Sequence, residues 1–220
     1  MRVAVVPLLL ALSLSAKSAA ADPCGELLLH GDGSWETAYG WPYWYSPPPD
    51  YGAFAECYSG EGELCALVLW GTDSGVQDPN GFDAFVWSDG DNGEPGTVIC
   101  SALGLEAGGV PTFPMFKEID VPLGGCCVSG SWWVGFRGAW GGPTPGFYIG
   151  GDYDGPGQGC PMTKIAPGLG YPEGWQSVTV LAGEPTKSLA IGAMIRSCAP
   201  VPMAPTTWGR VKSLYTTTAR

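Results

Sequence analysis

The chain has 220 residues, with 21 acidic and 10 basic side chains, a formal net charge of −11 and a pI near 4.3. All 21 acidic residues, but only five basic ones, fall between Asp22 and Cys198, a net charge of −16. Because binding to phosphates needs Lys and Arg to displace condensed counterions, this charge excludes nucleic-acid and anionic-lipid partners.

The amino-terminal residues have the pattern of a secretory signal peptide. Arg2 precedes an apolar stretch from Val3 to Leu14 and then small residues ending at Ala21. The apolar stretch is far shorter than the roughly 20 residues that a membrane span needs. We therefore predict a signal peptide over residues 1–21, cleavage after Ala21, and a secreted or cell-surface mature chain with no membrane span; an uncleaved anchor is the alternative.

The cysteines all lie downstream of the predicted signal peptide. An even number of cysteines in an exported chain predicts disulfides, with metal or redox use of the thiols as the alternative. Eight cysteines allow 105 pairings, so the connectivity stays open. Adjacent cysteines are poorly placed to bond each other, so Cys126 and Cys127 should have different partners. The predicted disulfide residues are Cys24, Cys57, Cys65, Cys100, Cys126, Cys127, Cys160 and Cys198.

Short apolar runs separated by turn residues dominate the middle of the chain, which holds most of its 35 Gly and 21 Pro. This pattern predicts an all-β fold, an antiparallel, jelly-roll-like β-sandwich stapled by disulfides, over residues 22–198. The turn at 89–96 should join two strands as a hairpin. Predicted strands are 53–58, 64–70, 82–88, 97–101, 115–121, 131–137, 146–150, 176–181 and 189–196.

Aromatic side chains in Gly-rich loops are the best candidates for ligand contacts. Flat rings beside polar groups suit stacking on sugars, although such rings more often cover a core. We predict a carbohydrate-binding set of Trp140, Tyr148, Tyr153, Tyr171 and Trp175.

Acidic loops predict a second kind of site. Asp89 and Asp91 fall in one turn, and Asp152 and Asp154 in another. Calcium takes six to eight oxygen ligands, so these carboxylates are candidate Ca²⁺ ligands, with ordinary Asx turns as the alternative. Paired acids could also hydrolyse glycosides if they flanked a cleft at a set separation, so a glycan-active enzyme is a further alternative.

His30 is the only histidine. A Ser-His-Asp triad would need it, yet no Gly-x-Ser-x-Gly motif is present, so we interpret His30 as a surface or capping residue. No catalytic residue is predicted.

The run Phe82-Asp83-Ala84-Phe85-Val86-Trp87 and the later segments 133–136, 146–150 and 171–176 resemble secreted β-sandwich modules of multidomain exported proteins from environmental bacteria. After Cys198 a Pro-rich linker leads into Trp208-Gly209-Arg210-Val211-Lys212-Ser213-Leu214-Tyr215, which resembles C-terminal surface-sorting segments. Residues 199–220 are thus interpreted as linker and basic tail.

Together these patterns predict a non-catalytic secreted or cell-surface binding module that recognises carbohydrate or another surface polymer through loop aromatics. The main alternative is a structural subunit that associates with copies of itself, in which the same aromatics are buried between subunits.

Overall fold

The computed structural model describes residues 24–41, 51–73, 81–138, 147–183 and 185–198. The predicted signal peptide, the linker and tail, and Trp140 lie outside the described residues. Within them are thirteen strands and one four-residue helix, which confirms the all-β prediction. The described part of the chain contains no helix long and apolar enough to cross a membrane.

The strands form two antiparallel sheets, one of seven strands and one of six. The elements are β1 (Glu26–Leu28), β2 (Thr37–Tyr39), β3 (Ala53–Ser59), β4 (Gly62–Thr72), β5 (Gly81–Asp89), β6 (Pro95–Glu106), β7 (Lys117–Val128), β8 (Ser131–Gly138), β9 (Tyr148–Asp152), β10 (Met162–Ile165), β11 (Gly174–Ser177), α1 (Thr179–Ala182), β12 (Ser188–Leu189) and β13 (Ile191–Arg196).

Strand β4 is the centre of the seven-stranded sheet. Leu67 on β4 pairs with both Val121 of β7 and Ala193 of β13, so these two strands lie on opposite sides of β4. Farther along β4, Thr72 pairs with Tyr148 of β9, which in turn pairs with β2 and β12. Strand β1 adds to β13. The six-stranded sheet has the order β11-β10-β3-β8-β5-β6, which leaves β6 at one edge.

The core lies between the inward faces of the two sheets. Because side chains alternate along a strand, Phe54 and Phe136 of the six-stranded sheet point inward toward Leu67 and Leu69 of β4. Phe147, just before β9, stacks on Phe136 with ring centroids 4.9 Å apart. All five side chains are fully buried, which supports the β-sandwich interpretation.

Four disulfides account for all eight cysteines: Cys24–Cys65, Cys57–Cys160, Cys100–Cys126 and Cys127–Cys198. Cys126 and Cys127 bond to different partners, as predicted. The Cys100–Cys126 bond joins β6 and β7, so it staples one sheet to the other.

The sequence prediction was wrong at residues 176–181. Strand β11 ends at Ser177, and the chain turns into α1 because Val178 donates its N–H to the Pro161 carbonyl and is fully buried. Gly183 ends α1 with a φ of 68°, a conformation that glycine adopts readily. The short strands β1, β2 and β10 were not predicted, since three or four residues are too few to show a periodic pattern.

Candidate ligand-binding groove

Two adjoining cavities along β2 and β9 share Ala38 and Tyr148. The first has a volume of about 250 Å³ and the second about 290 Å³. We call the pair the Tyr148 groove. The first cavity is also lined by Thr37, Thr72, Asp73 and Phe113. The second is also lined by Tyr39, Gly40, Trp41, Tyr171 and Leu181.

Sheet pairing places Tyr148 between the two cavities. Tyr148 is the first residue of β9 and pairs with Thr72 of β4, while Tyr39 of β2 pairs with the next residue of β9, Ile149. The Tyr148 side chain is half-buried, and Tyr171 in a facing loop is 45% exposed. The groove therefore has a central ring held by the sheet and a second ring that solvent reaches.

Hydrogen bonds fix the floor of the groove. The indole Nε1 of Trp41 donates to Thr163 Oγ1 at 2.8 Å. The Tyr39 hydroxyl lies 2.5 Å from Thr186 Oγ1 and 3.4 Å from the Tyr153 hydroxyl. Burial raises the pKa of Tyr39 well above its usual range, so its hydroxyl stays protonated and can donate. Tyr153 is thus not a lining residue of either cavity, but it hydrogen-bonds to Tyr39, which is.

The other end of the groove combines a ring with polar atoms. Asp73 is 5% exposed and accepts a hydrogen bond from Thr112 Oγ1 at 3.3 Å. The Phe113 N–H donates to the Asp73 carbonyl, which holds the 45%-exposed Phe113 side chain at the cavity. An anchored carboxylate and an exposed ring therefore line the same cavity as Tyr148.

Trp175 lies elsewhere, on the outward face of the six-stranded sheet. Its ring packs edge-on against Trp87 with centroids 5.6 Å apart, in a second cluster that includes Ala55 and Trp133. Lys164 Nζ is 5.8 Å from the ring centroids of both Trp175 and Tyr51. Of the five predicted ligand contacts, Tyr148 and Tyr171 line the groove, Tyr153 hydrogen-bonds to a lining residue, and Trp175 lies elsewhere. Trp140 lies outside the described residues.

The predicted calcium ligands are in two separate places. Asp152 and Asp154 meet Glu36, with one carboxylate oxygen from each within 4.8 Å of the others. The Asp152 carboxylate is buried and accepts hydrogen bonds from the backbone N–H groups of Asp32, Asp154 and Gly155. Asp89 and Asp91 lie instead at the β5–β6 hairpin of the other sheet, where Asp89 accepts a hydrogen bond from Trp133 Nε1.

A buried acid that the sequence analysis did not single out is Glu56 on β3. It is fully buried, and desolvation raises the pKa of its carboxyl to about 8. The sequence does carry a signal, since Glu56 is the one charged residue in the apolar run Ala53-Phe54-Ala55-Glu56-Cys57-Tyr58.

His30 is half-buried, which corrects its interpretation as a surface or capping residue. Its ring stacks on Tyr58 with centroids 4.5 Å apart, and its Nε2 lies 2.7 Å from the Cys57 carbonyl oxygen. His30, Glu56 and Cys57 lie close enough together to share a metal ion. The Cys57 sulfur is bonded to Cys160, however, so it offers no thiolate as a ligand in this state.

Comparisons with known protein families, with curated proteins and with solved structures found no match to this chain.

Proposed function

We propose that this protein is a non-catalytic extracellular binding module that holds a carbohydrate chain in the Tyr148 groove. One observation carries the proposal: Tyr148 lines both cavities, and each cavity is lined by one further exposed aromatic residue, Phe113 in the first and Tyr171 in the second.

Sugar recognition combines apolar stacking with a few placed hydrogen-bonding groups. The apolar faces of pyranose rings stack on flat aromatic side chains, and the groove is lined by three of these, Tyr148, Tyr171 and Phe113. Thr37 and the Asp73 carboxylate supply hydroxyl and carboxylate oxygens at one end. The two cavities together reach the size range of small-ligand sites, about 300–1,000 Å³.

The proposal places the module outside the cytoplasm. Its support is the predicted signal peptide together with four disulfides, since such bonds persist in oxidising compartments.

The test is a glycan array combined with pull-down on insoluble polysaccharides. Tyr148→Ala and Tyr171→Ala should each weaken retention about tenfold or more, because each removes one stacking surface worth roughly 1–2 kcal/mol. Tyr148→Phe keeps the ring and should retain binding. Tyr51→Ala, an aromatic truncation outside the groove, is the matched control. Wild-type protein that retains no glycan, or alanine variants that bind as wild type does, would refute the proposal.

The alternative of a self-associating structural subunit is favoured by a different observation, the free edge of β6. Among the strands that the structure describes, β6 pairs with β5 alone. It carries no charge before Glu106 and exposes Val98, Ile99 and Leu103 by 44%, 44% and 64%. Long apolar edges without Lys or internal Pro invite pairing with another chain. Concentration-dependent assembly in sedimentation velocity that Leu103→Lys abolishes, without glycan retention, would favour this alternative.

A further inference from the structure

We propose that residues 206–215 of this chain dock on the outward face of its own seven-stranded sheet, with Arg210 and Lys212 against Asp120 and Glu118. The inference is independent of glycan binding, because the Tyr148 groove is formed by other residues.

The path of the chain after β13 leads onto this face. Arg196, the last residue of β13, pairs with Glu63 of β4, and Cys198 bonds to Cys127 of β7. Because β13 and β7 lie on opposite sides of β4, the chain crosses β4 between Arg196 and Cys198. Cys126 is buried whereas Cys127 is exposed, so Cys127 points outward and its disulfide holds the chain on the outward face.

The face is apolar where an antiparallel sheet with one solvated side usually carries polar residues. Trp70 of β4 packs against Trp35 with centroids 5.7 Å apart, and Leu27 of β1 is 41% exposed beside them. Ala66 and Val68, which also lie outside the core cluster, are 8% and 2% exposed and so are already covered. The apolar surface that a further segment can cover is therefore the strip at Trp70 and Leu27.

Two acids border the apolar strip with a spacing that the tail can match. Glu118 and Asp120 are exposed on β7, pair with Trp70 and Val68 of β4, and make no ion pair with a described residue. Being two residues apart, they point the same way about 7 Å from each other. Arg210 and Lys212 have the same spacing. An extended segment can therefore present two cations to two anions while Trp208, Val211 or Leu214 meets the apolar strip.

The chain is long enough to reach. From Cys127 back to Asp120 is seven strand residues, roughly 24 Å. Twelve residues lead from Cys198 to Arg210, and at about 3.1 Å per residue in a Pro-rich extended chain they span up to roughly 37 Å.

The experiment is hydrogen–deuterium exchange by mass spectrometry on the exported chain with its tail present, following peptides over 206–215 at low ionic strength. We expect exchange in the wild type to be at least tenfold slower than in a Glu118→Lys, Asp120→Lys double variant. An Asp91→Lys, Glu94→Lys double variant, which makes the same change in net charge at the β5–β6 hairpin, should leave the exchange slow. Adding Arg210→Glu and Lys212→Glu to the double variant should restore protection by exchanging the charges.

Equal exchange at 206–215 in wild type and the double variant would overturn the proposal. Protection that appears only as protein concentration rises would also overturn it, because the segment would then dock on another copy. Melting temperatures of all variants confirm that the sheet is intact before the exchange rates are compared.

Discussion

The Glu56 carboxylate on β3 accepts a 2.8 Å hydrogen bond from the backbone N–H of Leu189 on β12, so one buried acid bridges the two sheets. Its other oxygen accepts the N–H of Cys160, the disulfide partner of Cys57. The acid therefore links both sheets and the loop before β10 at a single point.

Glu56 should make the protein less stable as the pH rises from about 4.5 to 8. The folded pKa of about 8 exceeds the ordinary value of 4.5, so in that window the native state binds more protons than the unfolded state. The stabilising contribution of Glu56 is therefore complete below the pKa of the unfolded state, 4.5. It is lost as the pH rises through the pKa of the folded state, about 8. At 1.36 kcal/mol per pKa unit it amounts to at most about 5 kcal/mol.

Urea unfolding at pH 5 to 9 measures this effect, with Glu56→Gln as the control. The free energy of unfolding of the wild type, minus that of the variant, should fall between pH 5 and about 8 and level off above 8, because the amide does not titrate. Parallel pH profiles for the two proteins would contradict the prediction.

Gly135 on β8 should tolerate no side chain. A Cβ atom there would lie 2.0 Å from the Phe54 carbonyl oxygen, and backbone of a central strand cannot move aside cheaply. Gly135→Ala should therefore cost about 3 kcal/mol or more in unfolding free energy. Gly109→Ala, where a Cβ meets nothing within 4 Å, should change it by less than about 0.5 kcal/mol. Similar losses of unfolding free energy in the two variants would show that the backbone of β8 shifts to accommodate the added Cβ atom.

Removing Cys57–Cys160 should destabilise the protein more than removing Cys100–Cys126. The bonds close loops of 103 and 26 residues, and the chain-entropy relation predicts about 1 kcal/mol more from the longer loop. Paired Cys→Ala variants compared by chemical denaturation test the order. The reverse order would show that the sheet-to-sheet staple matters more than loop length.

Calcium at Asp152 and Asp154, which Glu36 adjoins in the structure, remains a prediction, and a thermal melt with added Ca²⁺ or chelator tests it. Binding to the native state alone would raise the melting temperature as calcium is added. Asp154→Asn, which removes one exposed carboxylate of the three, should reduce that rise, whereas Asp91→Asn in the other sheet should not. An unchanged melting temperature in the wild type would show that calcium does not bind at these carboxylates.

Trp175→Ala should lower stability by about 2 kcal/mol and leave glycan retention unchanged. The ring packs against Trp87 outside the Tyr148 groove, so its loss removes packing rather than a stacking surface for sugar. Loss of retention at a temperature where the variant is folded would instead place Trp175 in the binding site.

Much of the fold could be predicted from local patterns. Alternating apolar residues in Phe82-Asp83-Ala84-Phe85-Val86-Trp87 determine strand β5, because period-2 burial is a property of consecutive residues. The hairpin at 89–96 follows from turn residues alone. The separate partners of Cys126 and Cys127 follow from the short distance between neighbours.

The groove and the acid bridge depend on contacts between residues far apart in the chain. Tyr148 shares its cavities with Ala38 and Thr72 because β2 and β4 both pair with β9, and Trp175 is directed elsewhere by the face of β11 on which it stands. Burial between the sheets raises the pKa of Glu56, and the backbone N–H groups that hydrogen-bond to its carboxyl belong to residues 104 and 133 positions away in the chain. Local sequence determines which residues form strands with alternating apolar side chains and which form turns. Which side chains are buried, and which line a common cavity, depends on which strands pair. Only the tertiary structure decides that pairing, because the paired strands are far apart in the chain.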